Sequence, residues 1–407
     1  MTVPTITRLH FRDELLAELP CPKRKLRIVR GLGSGLTRAP DGRLWAVGDR
    51  GPNLKVKLAV ETYGLESVAE HRAAKGAKVM PALEIGPALA ELRIVGDSAE
   101  LVRALPLTGA DGRPLTGLPT PGSANSRMEP ALKLDGTPHA PDPGGADSEG
   151  IAIASDGTIW IGDEYGPSLL QVAPSGEVRM RWVPRGAEAT VANAPYPCAA
   201  VLPELAAARH VNRGFEAIAL SDDGRRLHLA FQSPLAHPDE QAHAAARHVR
   251  LWTLDTQGGA VVAQYLYELD APDSFRRDAA EGTLQRSDVK VSETTCLGDN
   301  RLLLLERGSA TTKLYLVELD PALALPPEHL EVATRPTIEE LSASGHLDLP
   351  VLRKRLLLST DDHPEVSRDL EGVALLDERT LLLVNDNDFG IEDAETVFWR
   401  VTFDQPI

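Results

Sequence analysis

The sequence predicts an all-β fold, a β-propeller formed as one domain by residues 1–407 and carrying short helical insertions. A hairpin motif recurs five times, the first strand of each hairpin is apolar on both faces, and the two chain ends carry strands suited to pair with one another. Self-similarity of this kind marks propellers and related repeat folds.

The five repeats are GSGLTRAPDGRLWAVGDRGP (33–52), SEGIAIASDGTIWIGDEYGP (148–167), FEAIALSDDGRRLHLAFQSP (215–234), SETTCLGDNRLLLLERGS (292–309) and LEGVALLDERTLLLVNDNDFG (370–390). Each reads as strand, turn, strand. Asp41-Gly42, Asp156-Gly157 and Asp223-Gly224 supply hairpin turns seven residues after Ser34, Glu149 and Glu216. Asp299-Asn300 and Asp377-Glu378 come six residues after Glu293 and Glu371, so those two hairpins need another loop.

Ile151 and Ile153 alternate with Ala152 and Ala154 rather than with polar residues, as Ile218 and Leu220 do with Ala217 and Ala219. Strands of that kind are covered on both sides, as in radially packed blades. Residues 96–107, 177–183, 249–269 and 312–319 read as outer strands, and 397–403 as a partner for 5–11 that joins both chain ends in one blade. Residues 61–78, 199–210 and 337–344 read as helical. Stretches 54–95, 108–147 and 186–212 read as insertions or loops. The Pro- and Gly-rich tract 108–147 is long for a passive connector, and is read either as a functional loop leading into Glu149 or as a mobile surface loop.

With 43 Lys and Arg against 59 Asp and Glu, the formal charge of −16 disfavours nucleic acid and anionic membrane surfaces as partners. Hydrophobic residues at 43% are those of a globular chain, which excludes disorder as the main state. Cys21, Cys198 and Cys296 form no CxxC pair, and no apolar run approaches the length of a membrane span. The N-terminus lacks the pattern of a secretion signal, so a cytoplasmic location is expected, or a periplasmic or secreted one if a leader has been removed. GLGSGL is neither a GxSxG elbow nor a dinucleotide fingerprint. His237, His243 and His248 lack ligand spacing and read as solvated.

Superposing the repeats aligns Glu149, Glu216, Glu293 and Glu371 at the start of the first strand, with Ser34 in the remaining copy. Asp49, Glu164, Glu306 and Asp386 close the second strand, with Gln232 in copy three. A hairpin returns to the edge it left, so both sets converge on one mouth of the channel. Four clustered glutamates would repel by on the order of 10 kcal/mol at an effective dielectric of 20. Cations, protons or arginines must therefore neutralise them. Hard oxygen ligands favour Ca²⁺, with Mg²⁺ or another divalent ion as the alternative. Glu149, Glu164, Glu216, Glu293, Glu371, Asp386 and Asp49 are the candidate metal ligands.

At these residues the chain resembles the phytase-like family described as having esterase-like activity of phytase. DSEGIAIASDGTIWIGDEYGP, NRGFEAIALSDDG with FQSPL, DLEGVALLDERTLLLVNDNDFG and the opening GLGSGLTRAPDGRLWAVGDRGP look like its blocks, over about residues 30–400. The resemblance implies a propeller of six blades and a hydrolase of phosphate or carboxylic esters helped by a divalent cation. Ser34 and Gln232 depart from the acidic pattern.

The expected function is thus a Ca²⁺-assisted ester hydrolase acting on a small anionic ester at the channel mouth, with no obligate protein partner. Glu164, Asp386, Arg50 and Arg307 are the candidate catalytic residues, and Arg50, Arg307, Arg213 and Asn385 the candidate substrate contacts. A propeller lactonase with a central metal and a non-catalytic binding propeller with a structural metal are the alternatives.

Overall fold

The computed structural model describes residues 4–122, 129–282, 284–298 and 300–407. Each hairpin repeat supplies the two inner strands of one blade. Blade 1 is Gly35–Arg38, Leu44–Gly48, Ala88–Val95 and Ser98–Pro106, and blade 2 is Ser148–Ile153, Ile159–Asp163, Ser168–Val172, Val178–Pro184 and Cys198–Leu202. Blade 3 comprises Phe215–Leu220, Arg226–Phe231, His248–Asp255 and Val261–Glu268, and blade 4 comprises Lys290–Cys296, Arg301–Arg307, Thr312–Glu318 and Lys354–Ser359. Blade 5 is Leu370–Asp377, Thr380–Asn385, Phe398–Thr402 and, from the other end of the chain, Thr5–Leu9.

The turns follow from their residues. Gly42, Gly157 and Gly224 take φ of +86°, +88° and +68°. The preceding Asp41, Asp156 and Asp223 accept the N–H two residues on, at 3.0, 2.8 and 3.0 Å, the Asx geometry that Asp favours. The turn read at Asp299-Asn300 includes Asp299, which lies outside the described residues. Blade closure pairs Thr5 with Thr402 and Leu9 with Phe398, antiparallel, and so joins both chain ends in one sheet.

The innermost strands touch in sequence, and the fifth returns to the first. The ring therefore has five blades among the described residues, and the sixth implied by the family resemblance is not there. What remains is a two-stranded hairpin, Leu15–Leu19 with Leu26–Val29, and a three-stranded sheet of Leu54–Lys55, Lys78–Val79 and Ala131–Leu132. These pack around a separate core of Leu26, Ile28, Leu54, Tyr63, Val79 and Leu132, closed by Phe389 and Ile391. Neither is a four-stranded blade.

Both faces of the inner strands are buried, as their apolar alternation requires. Ile151 joins the core between blades 1 and 2, whereas its neighbour Ala152 joins the core of blades 2 to 4. Three elements depart from expectation. The stretch 61–78, read as helical, holds only a 3₁₀ segment, Glu66–Ala73; the α-helix lies before it, Val56–Glu61, and Gly64 at φ +75° keeps the two apart. Residues 199–210 split at Pro203 into the fifth strand of blade 2 and a 3₁₀ turn. Ala88–Val95, inside the stretch read as an insertion, is the third strand of blade 1. The helix read at 337–344 is present as Ile338–Ser344, with a Thr337/Glu340 capping box and Gly345 left-handed at its end. His237, His243 and His248 are buried, not solvated.

Candidate active site at the channel mouth

The first strands of blades 2 to 5 each begin with a β-bulge, and the bulge selects what faces the axis. In blade 2, Ser148 pairs with Asp163 and Gly150 with Gly162, so Glu149 is the extra residue. Glu216 is the extra residue in blade 3 and Glu371 in blade 5. In blade 4, Val291 pairs with Glu306 and Glu293 with Leu305, which makes the extra residue Ser292 and not Glu293. Ser34 precedes the first pair of blade 1 in the same place. Bulges re-aim side chains in this way at functional sites.

Two residues beyond each opposing partner lies a second ring: Asp49, Glu164, Gln232, Arg307 and Asp386. Glycine lets the strands approach closely enough for these rings to form. A Cβ on Gly150 would lie 1.9 Å from the carbonyl oxygen of Glu216, and one on Gly35 would lie 2.3 Å from that of Glu149. The mouth is a cavity of about 650 Å³ lined by Asp49, Arg50, Glu149, Glu164, Arg213, Glu216, Arg307, Glu371 and Asp386 among others.

Two predicted residues lie elsewhere. Glu293 is fully buried, and its two oxygens accept the backbone N–H groups of Leu36 and Thr294, each at 3.0 Å, so it is removed from the ligand set. Asn385 faces its own loop: its amide donates to Asp386 and Glu395 carbonyls and accepts from Val397 N–H at 2.6 Å, so it positions Asp386 without facing the cavity. Glu306, one residue before the ring position, accepts Tyr267, Asp270 and Lys354 donors on the outer side of the blade.

Arg50 holds the acidic half together. Its guanidinium donates to Glu129 Oε2 at 2.6 Å, to Asn212 Oδ1 at 2.6 Å and to Glu164 Oε2 at 3.4 Å, and is ion-paired with Asp147. Arg307 donates to Ser292 Oγ at 3.0 Å and pairs with Glu371. Both arginines are therefore engaged as counterions to protein carboxylates. Arg213 differs: it makes 3.3 and 3.4 Å bonds to the neutral oxygens of Asn212 and Gln232, and its Nε is buried without a partner among the described residues.

Asp49, Asp147 and Glu149, all buried, offer ligand oxygens within 4.8 Å of one another. Two oxygens at ordinary Ca²⁺ distances of about 2.4 Å on opposite sides of one ion stand about that far apart, so the donor set fits a hard divalent cation. Burial raises Asp147 and Glu149 well above the usual carboxylate range, Asp147 against the pull of Arg50 and Glu149 with the Asp147 and Glu216 charges adding to it. Burial likewise pushes Asp49 up to about 6, against the opposing pull of Arg50. Asp386 is raised well above its ordinary value by burial, then by Asp388 and Asp49. Glu129, though buried, is held low by Arg50 and Arg209.

Sequence reasoning missed Glu129, Asp147, Asn212, Lys78 and Lys290. Glu129 and Asp147 come from the irregular tract 108–147, where no periodicity marks them. The blade 4 shift had a signal: Asp299 follows Ser292 by seven residues, the spacing kept by Glu149 and Glu216.

Residues 27–389 match the model of a phytase-like family, described as esterase-like activity of phytase. A protein of Arthroderma benhamiae described as an uncharacterized secreted protein is 27% identical over 301 residues, covering 66% of this chain and 55% of that one. The chain thus spans about half the length of that relative. Among solved structures, the PQQ-bound aldose sugar dehydrogenase of Streptomyces coelicolor is similar at 11% identity, covering 96% of this chain and 98% of that one, with a TM-score of 0.35. The calcium-binding protein regucalcin of Agrobacterium tumefaciens is similar at 13% identity, covering 92% of each chain, with a TM-score of 0.35. A gluconolactonase of Xanthomonas campestris is similar at 9% identity, covering 99% and 98%, with a TM-score of 0.34. No helix among the described residues is long and apolar enough to cross a membrane.

Proposed function

The chain belongs to the phytase-like family, and from that premise we propose that it is a divalent-cation-assisted hydrolase of anionic esters, working at the five-bladed channel mouth. Family membership supports a hydrolase-type propeller. The observation that carries the finer reading is the convergence of Asp49, Asp147 and Glu149, three buried carboxylates whose oxygens lie within 4.8 Å, of which Asp49 and Glu149 line the polar cavity while Asp147 is fully buried beside them.

Those three residues would hold the cation, which supplies Lewis acidity toward an ester oxygen and toward water. Arg50 keeps Asp147 and Glu164 in place and limits the repulsion they would otherwise exert. Asp386 lines the same cavity, and its carboxyl, raised by burial, suits it to carry a proton to or from a reacting oxygen. Glu371 is tied to Arg307, which leaves Glu216 as the ring carboxylate with an oxygen that has no partner among the described residues. The secreted relative supports a location outside the cytoplasm rather than the cytoplasmic one.

The test is turnover of 4-nitrophenyl phosphate, 4-nitrophenyl acetate and an aliphatic lactone, with Ca²⁺ and with chelator. Chelator-sensitive hydrolysis of an ester that Glu149→Gln abolishes supports the reading. Turnover unchanged by chelator overturns the metal role. A chelator-induced fall in melting temperature with no turnover of any class supports a binding propeller with a structural metal instead.

A further inference from the structure

The half of the mouth formed by blades 3 and 4 is not used by the acidic trio, and its polar groups are unsatisfied in an ordered way. Gln232 is fully buried with its Nε2 unpartnered, and Glu216, 4% exposed, has an unpartnered Oε2. Arg213 Nε is the third such atom. Lys290 lines the cavity beside them, and among the described residues its ammonium makes no hydrogen bond or ion pair.

These groups are held rigidly. Gln232 Oε1 accepts from Arg213 at 3.4 Å, its N–H donates to Gly214 at 3.4 Å, and its carbonyl accepts Val291 N–H at 2.9 Å, which ties blade 3 to blade 4. Buried cations are stable when paired, and Arg213 and Lys290 share one cavity wall without an ion pair to a carboxylate among the described residues, so the wall suits an anionic ligand. The charges agree. Burial depresses Arg213 and Lys290 and the Arg307 charge adds to it, while the Glu216 and Glu164 charges pull the other way without restoring either group. A negative group between them would reverse that penalty.

We propose that Arg213 and Lys290, both on the cavity wall, form an oxyanion subsite that binds the phosphate or carboxylate of the substrate, with Gln232 holding Arg213 from behind and Glu216 accepting from a hydroxyl next to it. The substrate class that follows is a hydroxylated ester bearing an anionic group. The word substrate rests on the hydrolase reading; the binding of an oxyanion does not.

The experiment has two arms on the full chain. In the first, calorimetry in chelator measures binding of inorganic phosphate and of acetate to the wild type, Lys290→Met, Lys290→Arg and Arg213→Gln. Phosphate is expected to bind the wild type, to bind Lys290→Met and Arg213→Gln about tenfold more weakly or worse, and to be restored by Lys290→Arg. Relative binding of acetate decides between the two anions. Lys290 makes no hydrogen bond or close ion pair among the described residues and acts on Glu216 only through its charge, so Lys290→Met should fold and remain interpretable if Arg213→Gln does not.

In the second arm, KM of Lys290→Met for 4-nitrophenyl phosphate is expected to rise about tenfold with little change in kcat, while the neutral 4-nitrophenyl acetate is unaffected. Absence of binding of either anion to the wild type, or equal binding in all variants, overturns the subsite. Oxyanion binding through Lys290 without turnover of any ester leaves the subsite standing and removes the hydrolase reading. Cation-dependent turnover without oxyanion binding does the reverse.

Discussion

Ser292 stands in blade 4 where Glu149 stands in blade 2: each is the one residue of its inner strand left without a partner by the bulge, Glu149 lining the cavity and Ser292 buried against Arg307, whose Nε donates to its Oγ at 3.0 Å. The next residue, Glu293, therefore turns away from the mouth into contact with Leu36 and Thr294 backbone N–H groups. A displacement of one residue along a strand exchanges its two faces, which is why two glutamates that look equivalent in the sequence have unrelated surroundings.

Substitution separates the two. Glu293→Gln should cost about 1–2 kcal/mol of stability by mismatching one of two backbone donors, with cation affinity unchanged. Glu149→Gln should lower cation affinity at least about tenfold without comparable loss of stability. Denaturant unfolding and calorimetric Ca²⁺ titration of both variants check the contrast.

Arg50→Leu should be the most destabilising single change at the mouth. Arg50 is 4% exposed and serves Glu129, Asp147 and Glu164 at once. Removing it strands buried carboxylates, at about 3–5 kcal/mol. Unfolding at pH 7.5 and pH 5 should show part of the loss recovered at the lower pH, where those acids can take up protons.

The legible part of this fold was its repeated inner hairpins and the closure of the ring by residues 5–9 and 398–402, because both depend on local patterns: Asp-Gly turns and apolar alternation. Outer strands such as Ala88–Val95 and Lys354–Ser359 differ from blade to blade and carry no shared motif. The count of six blades came from resemblance, and the contacts of the five inner strands correct it. At the site, ring positions such as Glu149, Glu216 and Asp386 were legible as recurring acids. Glu129 and Asp147 were not, since only long-range folding of residues 108–147 brings them to Arg50.

Gly150→Ala should disturb two ring residues at once. Its Cβ would meet the Glu216 carbonyl oxygen at 1.9 Å, backbone that cannot move without separating blades 2 and 3. A loss of about 3 kcal/mol or more, with Ca²⁺ affinity falling together with stability, is the expected result by thermal unfolding and calorimetry.

The raised carboxyls give a pH dependence of defined sign. Asp49 rises from 3.8 to about 6, and Asp147 and Glu149 are also raised by burial. The folded protein thus holds protons that the unfolded chain releases, and the stability present below about pH 4 is lost as pH climbs through 6. For Asp49 alone the loss is on the order of 3 kcal/mol. A cation replaces those protons, so the gain in melting temperature on adding Ca²⁺ should grow from pH 5 to pH 7.5. A gain independent of pH would show that these acids are not its ligands.

The most direct measurement is an anomalous difference map from a crystal grown with Ca²⁺. The account predicts a peak about 2.3–2.6 Å from carboxylate oxygens of Asp49, Asp147 and Glu149. A mouth in which those oxygens contact only protein donors and water, with the ion bound elsewhere or nowhere, would contradict it.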